Sequence, residues 1–233
     1  MPYSLPGRDK RTVIVGSTGS GKTFTACWLL AFTDWHLRPW YILDYKGDKL
    51  IRDLGAETIS VNDPPPTEPG LYRLALIPDM DDAALSKFFW QVWENENAGI
   101  YLDEGFMINR NDSAFKALLT QGRSKNIQMI TLVQRPVFCS KFIFSEANHF
   151  YVMKLQIEDD RKYVSGYLDG TPINRLPRFH SYWYNADDQE GAHIAPVPGR
   201  AAILKIFNDR RAQMAMERQK ALEQFKSERF VAI

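Results

Sequence analysis

The run Gly16-Ser17-Thr18-Gly19-Ser20-Gly21-Lys22-Thr23 limits what this chain can fold into more than any other stretch of it. The β-branched residues of Thr12-Val13-Ile14-Val15 ahead of it read as a buried strand. The segment from Lys22 to about Phe32 carries helix formers and apolar residues without a breaker. Strand, glycine loop and helix in that order match the G-x-x-x-x-G-K-[ST] pattern together with the context it requires. The glycines let successive backbone N–H groups turn inward around phosphate oxygens, where a helix N-terminus adds partial positive charge. Lys22 is expected to reach the β- and γ-phosphates of ATP, and the Thr23 hydroxyl to hold Mg²⁺. With Phe24 after it, the run from Gly16 to Phe24 is the expected nucleotide-binding set: Gly16, Ser17, Thr18, Gly19, Ser20, Gly21, Lys22, Thr23 and Phe24. A glycine turn that binds nothing is disfavoured, because pattern and context agree independently.

Downstream, strand and helix signals alternate. Trp40 to Asp44 reads as a second buried strand, Thr58 to Val61 as a short third one, and Leu71 to Ile77 as a further strand. Pro64, Pro65, Pro66 and Pro69 stiffen the loop between the last two. Asp79 to Asp82 offer capping carboxylates to a helix running to about Glu94, with Leu85, Phe88, Phe89, Val92 and Trp93 at helical spacing toward a core. Gly99 to Asp103, Gln128 to Val133 and His149 to Leu155 read as strands, and Ser113 to Thr120 as a helix. This alternation predicts an α/β fold with a mostly parallel sheet flanked by helices. Beyond Thr171 the pattern changes: Phe179 to Tyr184 and a polar turn at Asp187-Asp188-Gln189 predict a C-terminal β-hairpin, followed by an exposed helix from about Asp209 to Glu228. One domain over residues 1–233 is expected, its core from about 12 to 170 and the hairpin and helix from about 171 to 233.

Asp103 and Glu104 close a strand of apolar residues. That arrangement places one carboxylate, Asp103, beside Mg²⁺ and the next, Glu104, where it can orient and polarise an attacking water. Hydrolysis is therefore expected over transfer to a bound acceptor. Asp44, also at a strand end, is read with equal weight as part of the same cleft or as a turn former. His36, His149, His180 and His193 lack metal-ligand spacing, and Cys27 and Cys139 sit in apolar surroundings that predict buried thiols. No apolar stretch approaches the roughly 20 residues needed to span a bilayer. With 29 basic against 28 acidic residues, the chain as a whole has no electrostatic preference for nucleic acid, so any such contact has to come from local clusters.

Three further stretches narrow the reading: Gln121-Gly122-Arg123-Ser124 before a strand, Val133-Gln134-Arg135-Pro136 at its end, and Leu43-Asp44-Tyr45-Lys46-Gly47-Asp48 after the second strand. Together with the phosphate loop, they resemble the FtsK and HerA superfamily of ring-forming, DNA-pumping ATPases. The last stretch has Tyr45 where the family usually has proline. The resemblance runs from about Thr12 to Gly170 and implies a P-loop fold of the RecA-like, additional-strand type. It makes Gln134 the sensor of the γ-phosphate or the water. It makes Arg123 the finger that enters the neighbouring subunit's site, with Arg135 as second choice.

What the resemblance implies about function is ATP-driven translocation of double-stranded DNA by a homo-oligomeric ring, a hexamer or a pentamer. A chain of this length resembles the minimal genome-packaging ATPases of internal-membrane viruses and phages, which act in the cytoplasm or at the packaging vertex of the virion with capsid vertex or portal proteins. The alternatives are a HerA-like cellular or plasmid translocase, a Zot-like phage assembly or secretion ATPase, and a nucleotide-binding module without hydrolysis; Glu104 and Gln134 argue against the last. Arg110, Lys46, Lys49 and Lys141 are candidate DNA contacts, each weighed against an ordinary solubilising surface role.

Overall fold

The computed structural model describes residues 5–75, 82–171 and 176–231. β1 (Arg11–Val15) leads through the glycine loop into α1 (Lys22–Ala31), followed by β2 (Pro39–Asp44), α2 (Lys49–Asp53), β3 (Glu57–Ile59) and β4 (Gly70–Ala75). Next come α3 (Asp82–Asn95), β5 (Gly99–Asp103), α4 (Ser113–Gln121), β6 (Gln128–Val133), α5 (Phe142–Ser145) and β7 (His149–Val152). The chain finishes with α6 (Glu158–Ser165), β8 (Ser181–Asn185), β9 (Glu190–Ile194) and α7 (Arg200–Val231).

All of these strands join one sheet in the order β3-β4-β2-β5-β6-β1-β7-β8-β9. Pairing is parallel from β3 through to β7, and β8 and β9 add an antiparallel hairpin on the β7 side. Every residue of β1, β2, β5 and β6 is buried, as expected where helices cover both faces of a parallel sheet. Side chains alternate between two cores. Val13, Val15, Leu43 and Leu102 pack with Phe88 and Phe89 of α3 and Phe115 of α4. Ile14, Ile42, Tyr101 and Leu132 pack on the other face with Ala26 and Leu30 of α1 and with Ile203 and Phe207 of α7.

Several expected boundaries move. The third strand contracts to β3 on the sheet edge. The reach of β4 to Ile77 and the caps at Asp79 to Asp81 lie outside the described residues. β7 stops at Val152 rather than Leu155, because the next residues bond to the end of β1 and to the glycine loop: Met153 N donates to Val15 O (2.8 Å) and Ser17 N to Lys154 O (2.9 Å). Phe179 and His180 belong to a turn instead of the hairpin strand; His180 N donates to Pro177 O (3.2 Å) and Phe179 takes φ +65°. The C-terminal helix begins at Arg200, nine residues before its expected start, and its first turns are docked on one side: Ile203 and Phe207 are buried, and Phe207 stacks on Trp35 at 5.8 Å. α2, α5 and α6 had no counterpart in the reading, since helices of 5, 4 and 8 residues show too little periodicity to register.

The hairpin docks through His149, paired with Asn185 in the ladder and stacked on Trp183 at 6.1 Å. Its Nδ1 is buried without a hydrogen-bond partner, and burial pushes the imidazole pKa down to about 4, with Asp187 only partly opposing. The folded state holds His149 neutral while the unfolded chain takes up a proton below about pH 6.5, so the stability this residue contributes is complete above that pH and declines as pH falls toward 4. Unfolding free energies from urea titrations are expected to show the wild-type minus His149→Gln difference falling by about 1–2 kcal/mol between pH 7.5 and pH 5, a comparison in which the other titrating groups cancel.

Candidate nucleotide and hydrolysis site

The parallel register brings the functional strand ends level. Asp44 pairs with Asp103, Asp103 with Leu132, and Val15 with Val133. Because adjacent strands lie about 4.8 Å apart, the loop after β1 and the acids after β5 stand about 10 Å apart with the end of β6 between them. This carboxyl edge is where open parallel sheets bind ligands.

The phosphate loop is tied down on both sides. Gly16 N donates to Val133 O (3.1 Å), and Ser17 Oγ donates to Lys154 O (2.7 Å). Gly19 and Gly21 adopt φ +73° and +106°, backbone that residues with a Cβ rarely reach. α1 has no side-chain cap and no acid in its first turn, so its N-terminal amides and dipole are available to an anion. Lys22 is buried and arches back, donating from Nζ to Gly16 O (2.7 Å) and Ser17 O (3.1 Å). Burial first and Lys46 second push its pKa down to about 8, against the opposing pull of Glu104 and Asp103. A triphosphate would reverse that shift by supplying the charge partner that Lys22 lacks.

Asp103 is fully buried, and neither of its carboxylate oxygens has a hydrogen-bond partner. Burial pushes its pKa up to about 7, with Lys46 opposing and Glu104 adding to the rise. An unpartnered buried carboxylate is costly in a folded protein, and a divalent cation is a partner that fits it. Among the described residues no group of three His, Cys, Asp or Glu side chains could hold a metal. The single unpartnered carboxylate of Asp103 suits Mg²⁺, which keeps water and phosphate oxygens in its shell and takes few protein ligands.

Glu104 follows at φ +111°, a left-handed backbone that is strained for any residue but glycine. Its side chain is 2% exposed; Oε1 accepts from Gln134 N (3.2 Å) and Oε2 forms an ion pair with Lys46 Nζ. Lys46 rides on a loop that Asp44 organises: Asp44 Oδ1 accepts from Gly47 N (2.8 Å) and Asp48 N (3.3 Å), and its Oδ2 from Arg73 Nε (2.8 Å). Asp44 thus satisfies both readings, a turn former in the cleft beside Asp103. Lys46, grouped with the DNA-contact candidates in the sequence, instead meets the acid expected to handle the water. Its Lys-Gly-Asp surroundings gave no sign of this, since the partner lies 58 residues away on another strand.

Gln134 joins the loop to the acid, as its Nε2 donates to Thr18 Oγ1 (2.5 Å) while its N–H serves Glu104. Arg135 lies beside it but is held by Asp160 (3.3 Å) and over the Phe138 ring at 4.7 Å. Arg123 is not brought into this cluster. It sits in the turn that enters β6, at the opposite end of the sheet about 18 Å away by strand rise. There its side chain is 63% exposed, paired with Asp9 at 3.1 Å. Arg110, Lys49 and Lys141 are exposed on three separate loops or helix starts, and both cysteines are buried and free.

Removing the buried, unpartnered charge is expected to stabilise the ligand-free protein. Asp103→Asn should raise its unfolding free energy at pH 8 by about 1–3 kcal/mol while reducing ATP turnover at least 100-fold. Thermal melts without nucleotide, run beside phosphate-release assays, check both halves.

No family model matches the chain. The DNA packaging ATPase P9 of Enterobacteria phage PRD1 is 39% identical to it over 219 residues, covering 89% of this chain and 96% of that one. Among solved structures, the genome packaging NTPase B204 from Sulfolobus turreted icosahedral virus 2, in complex with sulfate, matches with a TM-score of 0.69 at 16% identity, over 82% of this chain and 98% of that one. VirB4 of Thermoanaerobacter pseudethanolicus matches with a TM-score of 0.60 at 11% identity, over 84% of this chain and 92% of that one. At such identities the two structures speak for the fold, a P-loop ATPase sheet flanked by helices. The phage relative matches nearly end to end and carries the assignment further: this chain belongs to the family of the phage DNA packaging ATPase P9.

Proposed function

We infer that this chain is the motor of viral genome packaging: it hydrolyses ATP and uses the energy to drive double-stranded DNA into a preformed capsid. The identity to P9 over nearly the whole of both chains carries this reading. The carboxyl edge supports it, with the phosphate loop, Gln134 and the Asp103-Glu104 pair side by side.

In the proposed reaction the loop amides from Gly16 to Thr23 and the Lys22 ammonium hold the triphosphate. The Thr23 hydroxyl and the Asp103 carboxylate would hold Mg²⁺, which would supply charge neutralisation to the triphosphate when bound. Glu104 orients the water and accepts its proton. Lys46 has to leave Glu104 first, because its ammonium occupies the carboxylate oxygen that faces away from Gln134. Gln134, bonded to both Glu104 and Thr18, carries the state of the γ-phosphate to the end of β6. Arg123 is too far from its own loop to act there; 63% exposed and paired with Asp9, it would exchange that partner for the site of a neighbour in a ring of six or five copies. Such a ring would act at a capsid vertex or portal, on a chain made in the cytoplasm. Among the described residues no helix is long and apolar enough to cross a membrane.

Long double-stranded DNA is expected to stimulate ATP turnover several-fold, with native mass spectrometry giving the ring size; equal rates with and without DNA would count against translocation. Glu104→Gln should retain ATP binding and lose turnover by about 100-fold or more. Arg123→Ala should lower turnover by about 10³-fold or more with binding intact, and mixing it with Glu104→Gln subunits should restore part of the activity at mixed interfaces. If Arg135→Ala complements and Arg123→Ala does not, the finger is Arg135.

A further inference from the structure

Two cavities meet at Phe179. One lies over the phosphate loop, about 220 Å³, lined by polar residues that include Ser17, Thr18, Gly19, Lys154 and Arg178. The other is a cleft of about 240 Å³ that begins at Gly21 and is lined almost wholly by carbon, from Phe24, Thr25, Phe179, Pro196 and Val197. Phe179 borders both. Its ring lies against the last glycine of the loop, so close that a Cβ on Gly21 would stand 3.2 Å from Phe179 Cδ1. The Arg178 guanidinium lies over the same ring, 4.6 Å from its centroid, and itself lines the phosphate cavity. The pair divides a polar compartment from an apolar one at the N-terminus of α1.

Two features stand out at this junction. Phe24 and Phe179 are 39% and 43% exposed, so both rings hold apolar area that a ligand could cover. Phe179 also holds φ +65° in the Pro177-to-His180 turn, where glycine is the residue that fits without strain. A bulky aromatic kept at a glycine position, half in solvent, marks a function outside folding.

We propose that this apolar cleft is the nucleobase subsite, in which Phe179 and Phe24 offer their ring faces to the base of the nucleotide whose phosphates lie in the loop. The proposal rests on the site being a nucleotide site, and it deepens that reading by naming what selects the substrate. Among the described residues the one polar side chain lining the cleft is that of Thr25, buried in α1, and the rest of the lining is apolar or glycine. Recognition is therefore by the flat face, which every base shares. The subsite distinguishes a nucleotide from a bare polyphosphate without distinguishing adenine from guanine.

The test measures KM and kcat for ATP and GTP, and the inhibition constant of inorganic tripolyphosphate, in wild type, Phe179→Gly and Phe179→Trp, together with equilibrium binding of fluorescent ethenoadenosine triphosphate. Base stacking on one aromatic ring predicts that Phe179→Gly raises KM for both nucleotides, and weakens ethenoadenosine triphosphate binding, on the order of 5- to 150-fold. It should leave kcat within about threefold and the tripolyphosphate constant unchanged, since only uniform binding of the nucleoside is lost. Phe179→Trp should bind as wild type does. The melting temperature of Phe179→Gly should hold or rise as the strained backbone relaxes, which separates the effect from misfolding. An unchanged KM in Phe179→Gly, or a tripolyphosphate constant that weakens in parallel, would overturn the subsite; a wild-type preference for ATP over GTP beyond about 100-fold would overturn recognition by the face alone. Loss of nucleotide turnover in wild type with ethenoadenosine triphosphate still bound and sensitive to Phe179 would instead sink the hydrolysis reading and leave the subsite standing.

Discussion

The backbone pairing of β1, β6 and β5 in parallel register is the constraint on which the rest of this molecule depends. It carries Val15, Val133 and Asp103 to the same edge and leaves the residues after each of them standing in a row. A slip of one residue along β6 would turn its whole side-chain set onto the other face. It would also carry the Gln134 N–H away from Glu104 and break the bond from Gly16 N to Val133 O. Register in turn is enforced by burial, because these strands are enclosed on both sides and every displaced side chain would lose its place in one of two cores.

On that edge, several charges are arranged in ways that make little sense without a ligand. Lys22 bonds to carbonyls of its own loop, Asp103 has two unpartnered oxygens, and Glu104 sits on strained backbone with an ammonium across it. Each arrangement is unfavourable or provisional alone, and together they describe an edge suited to a polyanion. Asp44 shows how far the organisation extends. Anchored by Arg73, it accepts two amides of the loop that delivers Lys46, so a residue outside the reacting centre decides where one of its charges lies.

The local elements and the phosphate site were legible in the chain because their causes are local. Val13 to Val15 are β-branched and apolar, Gly19 and Gly21 meet positive φ angles, and Lys22 follows at the first turn of a helix. Legibility fails where the cause is distant. Lys46 reads as a surface lysine until β5 is placed beside β2. Phe179 reads as a strand residue because its aromatic neighbours in the hairpin look the same, and only the turn from Pro177 to His180 reveals its angle. Ile203 and Phe207 are too sparse in a charged helix to signal a docked face, yet they complete the core over α1.

The amino-acid order alone settled that this chain has a phosphate-binding loop, an acid pair at a strand end and a mostly parallel sheet, since glycine conformations, side-chain periodicity and motif spacing act over a few residues. Tertiary structure decided the strand order, hence the neighbours: Gln134 between loop and acid, Lys46 on Glu104, Arg123 at the far end of the sheet, and Phe179 over Gly21. The physical reason is that a parallel sheet joins strands through long crossovers, so residues that share its edge lie tens of positions apart in the chain, where no local propensity can relate them.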